Sequence, residues 1–162
     1  IPTFKHFTGH GDTAEDSHSG IAVSHKSKEE MEICEWRPYE SLSIENCVMV
    51  GHIAAPEITG DLTPASMSYE IVTGILRQQL NFEGVVLTDA LGMGAITNEY
   101  TSAEAAVNAI EAGCDILLCP DDLRESFEAV TESVENGTIS EERINESVYR
   151  ILRLKRMYGL IK

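Results

Sequence analysis

Residues 5–18 read Lys5-His6-Phe7-Thr8-Gly9-His10-Gly11-Asp12-Thr13-Ala14-Glu15-Asp16-Ser17-His18, a segment broken by glycine and crowded with ammonium, imidazole and carboxylate groups. It has neither helical nor strand periodicity, so a ligand or a reaction explains its polar groups better than packing does. Asp16 stands two residues from His18. A carboxylate that accepts from one ring nitrogen fixes the tautomer and makes the other nitrogen a proton donor and acceptor near neutral pH; the plainer reading is a solvated Asx turn. Asp89 follows Val85-Val86-Leu87-Thr88 and precedes Ala90-Leu91-Gly92-Met93-Gly94. A carboxylate at a strand end can be a nucleophile, a metal ligand or a helix cap, and the next helix is expected only near residue 102, which disfavours the cap. Lys5 and His6 close the first apolar run and can donate to hydroxyls or a carbonyl of a ligand. Neighbours on a regular strand point to opposite faces, so both reach one ligand only if the strand twists or bulges; otherwise Lys5 makes a rim salt bridge. His52 and Cys119 also end strands and are expected to line a pocket at most.

A metal reading competes with this one. His6, His10, Asp12, Asp16 and His18 offer nitrogen and oxygen donors suited to zinc or manganese, with Asp89 as a distal ligand of a metal-assisted hydrolase. No H-E-x-x-H pattern or finger spacing supports it.

The elements that must position these residues repeat four times as strand, loop and helix. The first unit is residues 1–7, the long polar loop and a helix opened by the capping box Ser27-Lys28-Glu29-Glu30, with helical continuation expected over residues 37–45. Next come residues 47–50, a loop through Gly60, and a helix over 68–80 with Ile71, Ile75, Leu76 and Leu80 on one side. The third unit is 85–88, a glycine loop, and a helix over 102–112 stopped by Gly113. The fourth is 116–119, a Pro-Asp-Asp turn and a helix over 123–135, after which Ser140 caps a last helix. This α/β alternation with continuous apolar strands predicts a parallel sheet covered by helices, either doubly wound and open or part of a (β/α)8 barrel. Polar chemistry after three strand ends favours the barrel, whose active sites gather on that face. A whole barrel needs about 250 residues, so the 162 residues are expected to form a single domain, the C-terminal half-barrel of a longer protein. The start at Ile1, without an initiator Met, fits an excised piece.

A net charge of −15 with 12 scattered basic residues excludes the clustered cations that nucleic acid or an anionic membrane surface would require. No run has the length of a membrane span. Cys34, Cys47, Cys114 and Cys119 lack metal or disulfide spacing and favour a reducing, cytoplasmic compartment for the parent; Cys47, Cys114 and Cys119 are expected to be buried. No cofactor is expected.

Lys5-His6-Phe7-x-Gly9-His10-Gly11-Asp12-Thr13 with Asp16-Ser17-His18, then Val85-Val86-Leu87-Thr88-Asp89-Ala90-Leu91-x-Met93-Gly94-Ala95-Ile96, resemble the signature loops of family 3 glycoside hydrolases. The resemblance extends over essentially the whole chain, and the branch it is most similar to is the β-N-acetylglucosaminidases of peptidoglycan recycling. It implies Asp89 as a nucleophile in a retaining mechanism, His18 as acid/base with Asp16 as dyad partner, and Lys5 and His6 as binders of the N-acetylglucosamine ring. A histidine replaces the second carboxylate of the usual retaining pair. Thr8 stands where the family has proline, a change expected to loosen the loop. The implied partners are an N-acetylglucosamine-containing glycoside and either the missing N-terminal half-barrel or a second copy, since a four-stranded sheet leaves open edges. The rival from another class is a non-catalytic sugar-binding or structural module.

Overall fold

The computed structural model describes residues 1–11, 13 and 20–162. Strands β1 (Thr3–Phe7), β3 (Cys47–Val50), β5 (Val85–Ala90) and β6 (Ile116–Leu118) form one parallel sheet in the order β1-β3-β5-β6. Each strand joins beside its predecessor without the order reversal that defines a doubly wound sheet. The arrangement is therefore that of a barrel sector. A second, two-stranded parallel ladder, unforeseen in the sequence, pairs β2 (Ala22–Val23) with β4 (Ile53–Ala54).

The strands alternate as a pleat requires. Val48, Val50 and Val86 face a core shared with Ile71, Val72, Ile75 and Leu76 and with Ala105 and Ala109 of α4 (Ser102–Ala112). Cys47 and Val85 face the opposite way, where Leu87 joins Ile151 and Leu154 of the last helix, α6 (Glu141–Met157). The Ser27, Thr101 and Ser140 side chains each accept from the backbone three residues on, fixing the starts of α1 (Lys28–Ile33), α4 and α6, while Asp122 does the same for α5 (Leu123–Glu135). Residues 68–80 do form a helix, wound as a π-helix over Glu70–Gln79. One-turn helices α2 (Pro56–Thr59) and α3 (Gly94–Thr97) interrupt stretches expected to be loop.

Two expectations need correction. No helix runs over residues 37–45: Pro38 bars α1 from running on through it, its ring meeting the carbonyl four residues earlier, and sits instead at the start of a 3-10 turn at Arg37–Tyr39, after which Ser43 N donates to Asn46 Oδ1 in a turn ahead of β3. Cys47 and Cys114 are buried, but Cys119 is exposed: it follows the last residue of β6 and turns out of the sheet with φ +43°.

Opposite the polar strand ends, α6 crosses beneath the starts of the strands. Asp115, wholly buried ahead of β6, accepts from Arg77 Nη2 and Ser147 Oγ, each at 2.7 Å, from Val86 N at 2.9 Å and from Arg150 Nη1 at 3.1 Å. Arg153 donates to the Glu83 carbonyl and Tyr158 to that of Glu45, just before β5 and β3. Arg150 and Arg153 of α6 thus fasten strand beginnings. No helix among the described residues is long and apolar enough to cross a membrane.

Candidate active site

The first and third strands of the large sheet each lose regular register at the residues singled out for chemistry. Phe4 pairs with Val48 and Phe7 with Val50, so Lys5 and His6 together oppose Met49. Leu87 pairs with Ile116 and Ala90 with Leu118, so Thr88 and Asp89 together oppose Leu117. Bulges of this kind re-aim side chains. The first supplies the departure from a regular strand that Lys5 and His6 need. At the second, Thr88 is fully buried and its hydroxyl accepts from the Leu118 amide at 3.0 Å, taking over a ladder contact.

His6 Nε2 approaches Asp89 Oδ2 to 3.4 Å, across the intervening β3. That close approach requires Gly51: a Cβ there would lie 3.2 Å from the His6 Cβ. Burial holds the His6 pKa below its ordinary value, the pull of Asp89 offsetting only part of this. At neutral pH the pair is therefore a neutral imidazole beside a carboxylate. Asp89 Oδ1 accepts from the Ala90 amide at 2.8 Å, and α3 starts only at Gly94, so Asp89 caps no helix. The carboxylate keeps Oδ2 toward His6 and a partly open face.

His52 does not line a pocket. It is 1% exposed; its Nε2 lies 3.0 Å from the Ala90 carbonyl and its Nδ1 2.8 Å from Ser66 Oγ. A carbonyl only accepts, so Nε2 carries the proton and Nδ1 accepts from the serine. Burial pushes its pKa down, as it must for a ring held neutral. The signal for it was its place at a strand end, the same place that marks Asp89.

The loop after β1 is anchored at both ends. Thr8 is fully buried and accepts from Trp36 Nε1 at 2.6 Å, so the threonine ties the start of the loop to the core. Gly9 has φ +134°, and Glu35, ion-paired with Lys26, occupies the space a side chain there would need. At the far end β2 pairs with β4, and Ser24 N donates to the Ala54 carbonyl at 2.9 Å. Within the loop, Thr13 Oγ1 lies 2.5 Å from His10 Nδ1, and the His6 and His10 rings meet edge-on at 6.0 Å. Asp12, Asp16 and His18 lie outside the described residues. Among those described, no group of three His, Cys, Asp or Glu is arranged to hold a metal. Surface cavities among the described residues lie elsewhere. One of about 560 Å³, between the starts of α4 and α5, is lined by Glu104, Asp121, Asp122 and Glu125 and contains none of the candidate residues.

Residues 1–154 match the model of the glycosyl hydrolase family 3 N terminal domain. The chain belongs to glycosyl hydrolase family 3. It is 30% identical to β-hexosaminidase A of Pseudoalteromonas piscicida over 96% of this chain and 30% of that protein. To a β-hexosaminidase of Shewanella frigidimarina it is 38% identical, over 72% of this chain and 35% of that one. A solved family 3 β-N-acetylglucosaminidase from Paenibacillus sp. matches it with a TM-score of 0.90 and 39% identity, over 95% of this chain and 30% of that chain. This family 3 chain thus spans about a third of the length of such relatives.

Proposed function

We propose that this chain is the C-terminal half-barrel of a retaining glycoside hydrolase that removes terminal β-linked N-acetylglucosamine, with peptidoglycan-derived glycosides as substrates. The observation that carries the reading is the His6–Asp89 approach at the strand ends, which leaves one carboxylate oxygen pinned by a backbone amide and the other facing an uncharged imidazole. A neutral neighbour can orient Asp89 without neutralising it. Names and folds of the family 3 relatives support the same chemistry.

In this reading Asp89 attacks the anomeric carbon as the C–O bond to the leaving group breaks, and His18, oriented by Asp16, gives that oxygen its proton. His18 then takes a proton from water, whose oxygen displaces the Asp89 ester and restores both groups. Two inversions give retention. Lys5 and His6 hold the ring hydroxyls, and the rest of the sugar pocket comes from the other half of the barrel. Assay of the full-length polypeptide on a chromogenic N-acetylglucosaminide tests this. Asp89→Asn and His18→Ala are each expected to lower kcat by at least about a hundredfold, and a fluorinated sugar should leave its adduct on Asp89 in mass spectrometry. Unchanged turnover in Asp89→Asn sinks the assignment.

A further inference from the structure

His52 is fully enclosed, yet both its ring nitrogens are spent on groups from other parts of the chain, and one of them is the carbonyl of Ala90, the residue after Asp89. We infer that His52 is a positioning residue for Asp89, acting through the backbone of Ala90: the Ala90 carbonyl fixes the ring tautomer by accepting from Nε2–H, Ser66 Oγ donates to Nδ1, and the Ala90 amide in turn holds Asp89 Oδ1. The chain of contacts is continuous, at 2.8, 3.0 and 2.8 Å.

The need for such a clamp follows from the bulge. Where Thr88 and Asp89 together oppose Leu117, the regular ladder no longer dictates where the Asp89 side chain points. On one side, Leu91 N bonds the Leu118 carbonyl at 2.8 Å and the Thr88 hydroxyl receives the Leu118 amide. Those contacts secure the bulge to β6. The Ala90 carbonyl accepts from the Met93 amide at 3.1 Å and from His52 Nε2, and among the described residues His52 is the group that ties it back toward β3, on the side where His6 stands. With the Ala90–Leu91 peptide held at both its polar groups, by His52 and by Leu118, the neighbouring Ala90 amide stays aimed at Oδ1 and Oδ2 remains the oxygen presented to His6. A nucleophile must sit within a few tenths of an ångström of its productive place, and misplacement by about 1 Å can cost roughly a hundredfold in rate.

The neutral state of the ring belongs to the same design. The titratable groups that face His52 are Asp89 and His6, both from the strand ends it bridges. Burial keeps the ring uncharged despite the carboxylate, so it orients Asp89 without stabilising the anion that must react.

This inference rests on Asp89 being the nucleophile, and the test separates the two claims. In the full-length polypeptide, wild type and Asp89→Asn decide whether Asp89 is the nucleophile. His52→Leu, which removes both contacts, and His52→Gln, whose amide can still donate to the Ala90 carbonyl, decide the role of His52. The expected result is a kcat loss of about tenfold to a hundredfold in His52→Leu with KM within about twofold, and recovery of most of that loss in His52→Gln. Two readouts need no turnover. Long-range proton–nitrogen correlation on wild type should show His52 protonated at Nε2 alone, and a crystal structure of His52→Leu or, if that variant does not fold, His52→Phe should show the Asp89 carboxylate turned from its 3.4 Å approach to His6. A ring protonated at Nδ1, or Asp89 unmoved in the variant structure, overturns the proposal. So does equal turnover by His52→Leu and wild type.

Discussion

Asp89 and His52 show how one strand end can hold a charged group and a neutral one within a single hydrogen-bonded chain. For His52, and to a lesser degree His6, burial favours the uncharged ring, so the unfolded chain binds protons at a higher pH than the folded one. Stability is then complete above the ordinary histidine pKa of 6.5 and declines as pH falls below it. Urea denaturation at a series of pH values should show that slope as pH falls below 6.5, and His52→Gln should flatten it. An unchanged slope in the variant would mean that His52 is not held neutral by the fold. Lys5, His6 and Asp89 stand out in the sequence because each interrupts or closes an apolar run with a polar group that packing does not require. His52 looks like an ordinary pocket residue there, since both of its partners are distant in the chain. Ser66 is 14 residues away and Ala90 is 38.

At the scale of elements, the loop that carries the proposed acid/base pair is held by neighbours on either side of it. At Thr8 sequence reasoning sees only a threonine in place of proline, while its hydroxyl meets the chain's single tryptophan in the core, a contact no local pattern announces. Thr8→Val keeps the shape and orphans the buried indole N–H, at an expected cost of about 1–3 kcal/mol. Chemical denaturation followed by Trp36 fluorescence would measure it, and a loss below about 0.5 kcal/mol would show that the hydrogen bond does not anchor the loop. Helix starts are legible in the sequence, because Ser27 and Ser140 announce themselves through local capping chemistry. The bulges and the β2–β4 ladder are not. They arise from pairing between segments tens of residues apart, for which no local pattern exists.

Across the whole molecule, the outer strands β1 and β6 have neighbours on one side only among the described residues, and Phe4 and Ile116 are 38% and 37% exposed there. Unpaired parallel edges invite pairing, so the 162-residue chain by itself is expected to sediment as a concentration-dependent oligomer. A monodisperse monomer in analytical ultracentrifugation would contradict this. Asp115 concentrates stability at the other end of the strands: with its side chain fully buried among Arg77, Arg143 and Arg150, Asp115→Asn should destabilise the chain by about 3 kcal/mol or more, measured by thermal or urea unfolding. A loss under about 1 kcal/mol would mean that the arginines find other partners without penalty. That network was invisible in the sequence, where the arginines lie 38, 28 and 35 positions from the aspartate and resemble ordinary helix charges.

The fastening of α6 beneath the strand beginnings has a consequence for how this scaffold can diversify. Because the contacts that hold the sheet together gather at Asp115, substitutions in the loops around residues 9–11, 20 and 92–100 draw on a reserve of stability they do not themselves supply. New residues can therefore be sampled at the rim by mutation and selection while the floor stays unchanged. A library confined to those loops should retain a larger folded fraction than one of equal size spread over the starts of β3, β5 and β6.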